Sequence, residues 1–130
     1  MVRPMTFDDL FTGWKDVEEM DAQEVIFSEQ DRAEAMYYIL SGEVELSLHG
    51  QAIGIETQGG VIGEMAVVES ARQKATATTL TQVKLARVDK GQLKVLVSNN
   101  SDFSLYVMAV LANRLSAVDK FISRQNDEHE

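Results

Sequence analysis

The chain contains no cysteine, a single proline, a single tryptophan and two histidines in 130 residues. Without cysteine there is no disulfide framework, no thiolate ligation of zinc or of an iron–sulfur cluster, and no cysteine nucleophile. His49 and His129 are the whole imidazole supply, too few for a barrel metal centre built from converging histidines and carboxylates, so no metal-ligating residues are assigned. No Gly-x-Ser-x-Gly elbow, Walker loop or dinucleotide fingerprint occurs, and Glu64 and Glu69 have no identifiable proton-transfer partner. No catalytic residues are expected, and the chain is read as a non-enzyme. There is no apolar run long enough to cross a bilayer and no hydrophobic signal core at the start, so a cytoplasmic location without a membrane partner is expected. Positive charge is scarce: 12 Lys and Arg face 21 Asp and Glu, a net charge of −9 that opposes attraction to nucleic acid. The scarce cations are also unevenly spread, with Arg72, Lys74, Lys84, Arg87, Lys90 and Lys94 following a mainly acidic first half.

What remains is an ordinary globular composition, 45% apolar and 25% charged, sized for one domain over residues 1–130. From Thr6 to Glu18, Phe7, Leu10, Phe11, Trp14 and Val17 recur at three- and four-residue steps, with Thr6 as cap; the spacing predicts an N-terminal amphipathic helix over 6–18 packed on a barrel. Residues 24–88 break into short β-type runs punctuated by Gly, Ser, Gln and Asp. The expected strands are Glu24 to Ser28, Ala35 to Leu40, Glu43 to His49, Gln51 to Glu56, Ala75 to Leu80 and Val83 to Val88. Ser41-Gly42 is read as a hairpin between the second and third, and His49-Gly50 as the next turn. Many short strands at this spacing imply a mainly β jelly-roll barrel with a short N-terminal helix and a long C-terminal one.

After Asp89, a capping residue, a short helix is expected over about Gly91 to Ser98. Asn99-Asn100 then breaks the chain, and a cap at Ser101 or Asp102 opens a longer helix to about Arg124, the two helices together filling 90–125. Along the long helix the apolar stripe narrows to Met108, Leu111, Leu115, Val118 and Ile122, which is heptad spacing. The stripe predicts a homodimer through paired helices, the alternative being that it packs back on the barrel.

The most informative stretch runs from Gly59-Gly60-Val61-Ile62 through Gly63-Glu64-Met65-Ala66-Val67-Val68 to Arg72-Gln73-Lys74-Ala75-Thr76. Its glycines let backbone approach a ligand, Glu64 to Val68 can form one helical turn with its N–H groups facing forward, and the polar strand entry supplies donors. Together these make an anion cradle.

These residues, with Glu24 to Phe27, Met36 to Glu45 and Asn113-Arg114-Leu115 in order, resemble the cyclic-nucleotide-binding domain family, the sensor module of CRP/FNR-type regulators. The resemblance implies that Glu64 takes a ribose hydroxyl, that Gly63, Met65 and Ala66 offer backbone N–H groups, and that Thr76 touches the base or phosphate of cAMP or cGMP, with Ala75 among the ligand-binding residues. It also implies an arginine two residues before the Ala of Ala75-Thr76, and here Gln73 stands instead. A neutral amide replaces a charged two-pronged clamp, a loss that weakens phosphate binding by about ten- to a thousandfold. Arg72 and Lys74 flank the position and, if extended, point away from it; a one-residue slip in the loop would bring Arg72 inward. Gln23 and Gln30 stand where the family has turn glycines, and those turns are expected to differ in shape. The chain ends shortly after the long helix, so the helix-turn-helix domain of DNA-binding relatives is not expected in it. Two functions follow as expectations: a non-catalytic sensor that signals ligand occupancy through the C-terminal helix, or a degenerate pocket serving dimerisation or a protein partner.

Overall fold

The computed structural model describes residues 7–69 and 71–128, the last fourteen or so by backbone alone; Thr6 and the side chains of Leu115, Val118 and Ile122 lie outside the described residues. Eight strands form two antiparallel sheets. The first has the order β1 (Val17–Met20), β8 (Val83–Asp89), β3 (Ala35–Ser41), β6 (Val61–Ile62); the second has β2 (Val25–Phe27), β7 (Thr76–Thr79), β4 (Val44–Leu48), β5 (Gln51–Glu56). The sheets close a jelly-roll barrel, with helices α1 (Glu64–Glu69), α2 (Lys90–Asn99) and α3 (Ser101–Glu128) beside it.

Strand periodicity explains the two cores. On β3, Ile39 points into the barrel with Val44, Leu46, Ile62, Val83 and Leu85, while Met36 and Tyr38 on the opposite face join Ala86 and Val88 beneath the helices. The outer core is finished by Phe103 and Val107 of α3, Leu93 and Leu96 of α2, and Phe7 and Phe11 from the N-terminal segment. Asp89 caps α2 through a reciprocal box: its carboxylate accepts from the Gln92 amide at 2.8 Å and the Gln92 side chain accepts from the Asp89 amide at 2.9 Å.

Three expectations are corrected. The 6–18 helix is instead a single 3₁₀ turn, Asp8–Phe11, followed by strand β1. The same aromatic spacing serves one turn: Phe11 stacks on Tyr38 at 4.6 Å, Phe7 donates its amide to the Tyr38 hydroxyl at 2.9 Å, and Gly13 at φ +74° ends the turn. Val17 to Met20 then gain more by pairing with the edge of β8, in register Val17 to Ala86 and Met20 to Val83, than by prolonging a helix whose Glu18 and Glu19 bury nothing. Second, Ser41-Gly42 is not a hairpin. β3 and β4 belong to different sheets, and Gly42 at φ +95° turns the corner beneath Gln82 and Val83, where a Cβ would stand 2.4 Å from the Gln82 carbonyl oxygen. His49 and Gly50, at φ +52° and +79°, do close the β4–β5 hairpin. Third, Gln23 and Gln30 adopt φ +64° and +72°, so their turns keep the left-handed shape that favours glycine. Their amides are spent on the neighbouring strand: Gln23 N–H donates to the Thr79 carbonyl at 2.8 Å and Gln30 N–H to that of Gln73 at 2.9 Å.

Candidate functional site

Between the second sheet, the α1 segment and α3 lies a cavity of about 240 Å³. Phe27, Leu46 and Ile53 give it an apolar wall from the strands. The opposite wall is the α1 segment, entered through Gly63. At φ +79° a Cβ on Gly63 would lie 3.3 Å from the Ala35 carbonyl oxygen, the Gln73 amide nitrogen and the Phe27 ring alike, so any other residue here would be both strained and crowded. Glu64 and Met65 follow directly and line the cavity, while Ala66 is buried and is not among the residues that line it.

Glu64 is 2% exposed, and burial drives its pKa above the ordinary carboxylate value; the Arg114 guanidinium opposes the rise and nearby Glu56 adds to it. Arg114 belongs to α3. Its Nη2 lies 2.8 Å from Glu56 Oε1 and donates to the Val61 carbonyl at 2.9 Å, and its Nε lies 3.8 Å from Glu64 Oε1. One turn of the long helix is thus pinned to β5, to β6 and to the cavity's buried carboxylate. Tyr106, two turns earlier, donates its hydroxyl to the Gly59 carbonyl. Sequence reasoning named Arg114 only within a motif and did not assign it to the cavity. The signal was its cation, on a helix otherwise free of basic residues between Ser101 and Asn113.

Of the other expected residues, Gln73 is 4% exposed and faces the cavity beside Gly63, with Ala75 next to it. The slip that would bring Arg72 inward does not occur: Arg72 bridges to Arg32 and donates Nη1 to the Gln30 carbonyl at 2.9 Å, outside the cavity. Lys74 does line it, contrary to the expectation from an extended chain, because the 71–75 segment bends and strand geometry begins only at Thr76. Its Nζ lies 3.7 Å from Glu69 Oε2 in an exposed pair at the mouth. Thr76 turns its hydroxyl to the Glu29 amide at 3.1 Å. The cavity therefore holds two carboxylates, Glu56 and Glu64, two cations, Lys74 and Arg114, and the neutral Gln73 amide. Such a site offers hydroxyl acceptors, amide donors and an apolar wall for a flat ring. Among the described residues no cluster of three histidines and carboxylates is arranged to hold a metal ion, and no helix is long and apolar enough to cross a membrane.

Known proteins share this fold. The family described as the cyclic nucleotide-binding domain matches residues 17–100. A CRP-like cAMP-activated global transcriptional regulator of Mycobacterium tuberculosis is 24% identical over 95 residues, covering 69% of this chain and 42% of the regulator. An EAL enzyme solved in its cAMP-bound form shares 28% identity with a TM-score of 0.62, over 87% of this chain and 32% of that one. The catabolite activator protein of Thermus thermophilus superposes with a TM-score of 0.76 at 21% identity, over 92% and 58% of the two chains, a likeness of fold. The chain spans less than half the length of the curated relatives it matches.

Proposed function

The chain belongs to the cyclic nucleotide-binding domain family, and on that premise we propose that it is a non-catalytic sensor whose cavity takes a cyclic nucleotide or a related phosphate ligand and reports occupancy through α3. The observation that carries this reading is the shared ion pair: Glu64, the buried carboxylate suited to a ribose hydroxyl, is bound to Arg114 of the helix that would carry the signal. A ligand hydroxyl on Glu64 competes with Arg114 and shifts the balance between two placements of the helix. The ligand phosphate would lie against Gln73 and the forward-facing amides of Met65 and Ala66, with Lys74 supplying charge from the mouth. Because Gln73 is neutral and Lys74 exposed, binding is weak compared with that of an arginine-clamped pocket.

Calorimetric titration of the chain with cAMP and with cGMP tests the reading: heat with a micromolar to millimolar midpoint and a higher melting temperature is expected, and no heat and no stabilisation at millimolar ligand would sink it. The same reading has the chain act as one domain over 1–130, in the cytoplasm and as a homodimer through α3. On that helix Leu105 and Met108 are 61% and 54% exposed, whereas Leu111 is half-buried against the outer core. Those exposed side chains, together with the neutral Gln73, also favour a second reading, in which the cavity is silent and the domain is a dimerisation or partner-binding module. A monomeric chain that binds neither nucleotide excludes the homodimer version of it.

A further inference from the structure

Gly54 lines the cavity from within β5, an edge strand of the second sheet, and nothing in the fold asks for a glycine there. A glycine inside a strand weakens it, because it adds freedom to the unfolded chain and packs no side chain. At Gly42 and Gly63 left-handed backbone and crowded surroundings favour glycine all the same. Gly54 has neither: its backbone is not left-handed, and a Cβ built on it would meet no atom within 4 Å beyond its chain neighbours.

The sheet shows where the missing side chain would point. Phe27 pairs with Ala77, Ala77 with Leu46, and Leu46 with Gly54, so one row crosses all four strands. Directly opposed residues share a face, and Phe27, Ala77 and Leu46 belong to the barrel core. Side chains fill that inner face as far as Leu46 and stop at Gly54. The register slips beside it: Ser47 faces Ala52 and Leu46 faces Gly54, which leaves Ile53 as the extra residue of a bulge. The bulge breaks the alternation of faces, and the successive residues Ile53 and Gly54 both line the cavity. The type of bulge that calls for glycine holds it left-handed, so the bulge does not account for Gly54. What remains is the room itself.

We propose that Gly54 is a specificity-determining residue of the cavity, whose missing side chain leaves room for the second ring of a fused two-ring base lying against Leu46 and Ile53. The inference rests on the reading of the cavity as a cyclic-nucleotide site. Glu64, Gln73 and Lys74 come from the α1 segment and the 71–75 loop, so ribose and phosphate belong on that side and the flat ring on the apolar side of the strands. A base of one ring would leave the space beside Gly54 empty and forgo its contacts.

The test uses Gly54→Ala and Gly54→Val. Without ligand both variants should melt about 2–4 °C above the parent, because the added side chain meets no obstacle and the unfolded chain loses freedom. In calorimetric titrations the parent should prefer cAMP to cCMP, whose base is a single ring. Gly54→Val should weaken cAMP binding about tenfold or more and cCMP binding by less than about threefold, with Gly54→Ala between parent and Gly54→Val. A residue that only supports the fold would move both nucleotides alike. A parent that prefers cCMP, equal weakening of the two ligands, or cAMP affinity unchanged in Gly54→Val overturns the assignment. So does a lower melting temperature for Gly54→Ala without ligand, since the fold itself would then need the glycine. A parent that binds neither nucleotide overturns the reading of the cavity, and the assignment with it.

Discussion

Replacing Gln73 by arginine puts a charge at the position where the family resemblance implies a phosphate-binding arginine, and on the proposed reading of the cavity the structure allows the effect to be sized. The Gln73 side chain is buried and directed at the start of α1, with its amide nitrogen 3.3 Å from where a Cβ on Gly63 would lie. A guanidinium there reaches the ligand phosphate with two charge-assisted hydrogen bonds of about 1.5–3 kcal/mol each, in place of one neutral bond of about 1 kcal/mol. After allowance for ordering a longer side chain, the gain is about 1.5–4 kcal/mol, or about ten- to a thousandfold in Kd. In the empty protein the same charge is buried without a phosphate, and the variant should lose about 1–3 kcal/mol of stability. Titration calorimetry with cAMP and cGMP, paired with thermal melts with and without ligand, reads both effects: a less stable free protein and a larger ligand-induced rise. If the Gln73→Arg chain keeps the native circular dichroism spectrum yet binds neither nucleotide more tightly than the parent, the cavity is not a phosphate site and the reasoning fails.

Arg114→Met leaves Glu64 without its cation and should cost about 3 kcal/mol in urea unfolding, the low end for a buried pair because Glu56 is partly exposed. The pKa of Glu64 is raised in the folded state from a reference of 4.5, so the folded state holds its proton more tightly than the unfolded chain. Its contribution to stability is therefore fully present below pH 4.5 and is lost as pH rises through the higher folded value. Melting across that window should show the loss in the parent, extended to higher pH in Arg114→Met and absent in Glu64→Gln. Gln30→Gly should stabilise by about 0.5–1 kcal/mol, because relief of the left-handed strain at φ +72° exceeds the added freedom of the unfolded chain; a lower denaturation midpoint would contradict it.

The barrel was legible because most of its strands carry their own signal. Val44, Leu46 and Leu48 alternate with polar residues, and His49-Gly50 closes a turn that only left-handed residues make. β1 and β6 were not legible. Val17-Glu18-Glu19-Met20 has no alternation to betray an edge strand, and Val61-Ile62 is two residues long, defined by pairing to Tyr38 and Tyr37 far away in sequence. The aromatic stripe of Phe7, Phe11 and Trp14 fits a helix and a single turn equally well, and the choice is made by Tyr38 and by the Arg87 carbonyl that accepts from the Trp14 indole at 2.8 Å. In the site, Gly63, Glu64 and Gln73 were readable as one motif. The bend that puts Lys74 at the mouth, and the crossing of α3 that brings Arg114 against Glu56 and Glu64, depend on tertiary packing that no local pattern encodes.

The anchoring of α3 also has a mechanical side. On the proposed reading, in which α3 reports occupancy of the cavity, Phe103, fully buried against Phe7 and Phe11, is a fulcrum, and Arg114 is the point where force is applied. At 1.5 Å of rise per residue the arm from Phe103 to Arg114 is about 16 Å and the arm to Glu128 about 37 Å, so a straight helix has a gain of about two. A displacement of about 1 Å, no more than the length by which an ion pair must open to admit a hydroxyl, reaches Glu128 as about 2 Å. On that reading, a partner seated at the far end of the helix would meet the larger movement.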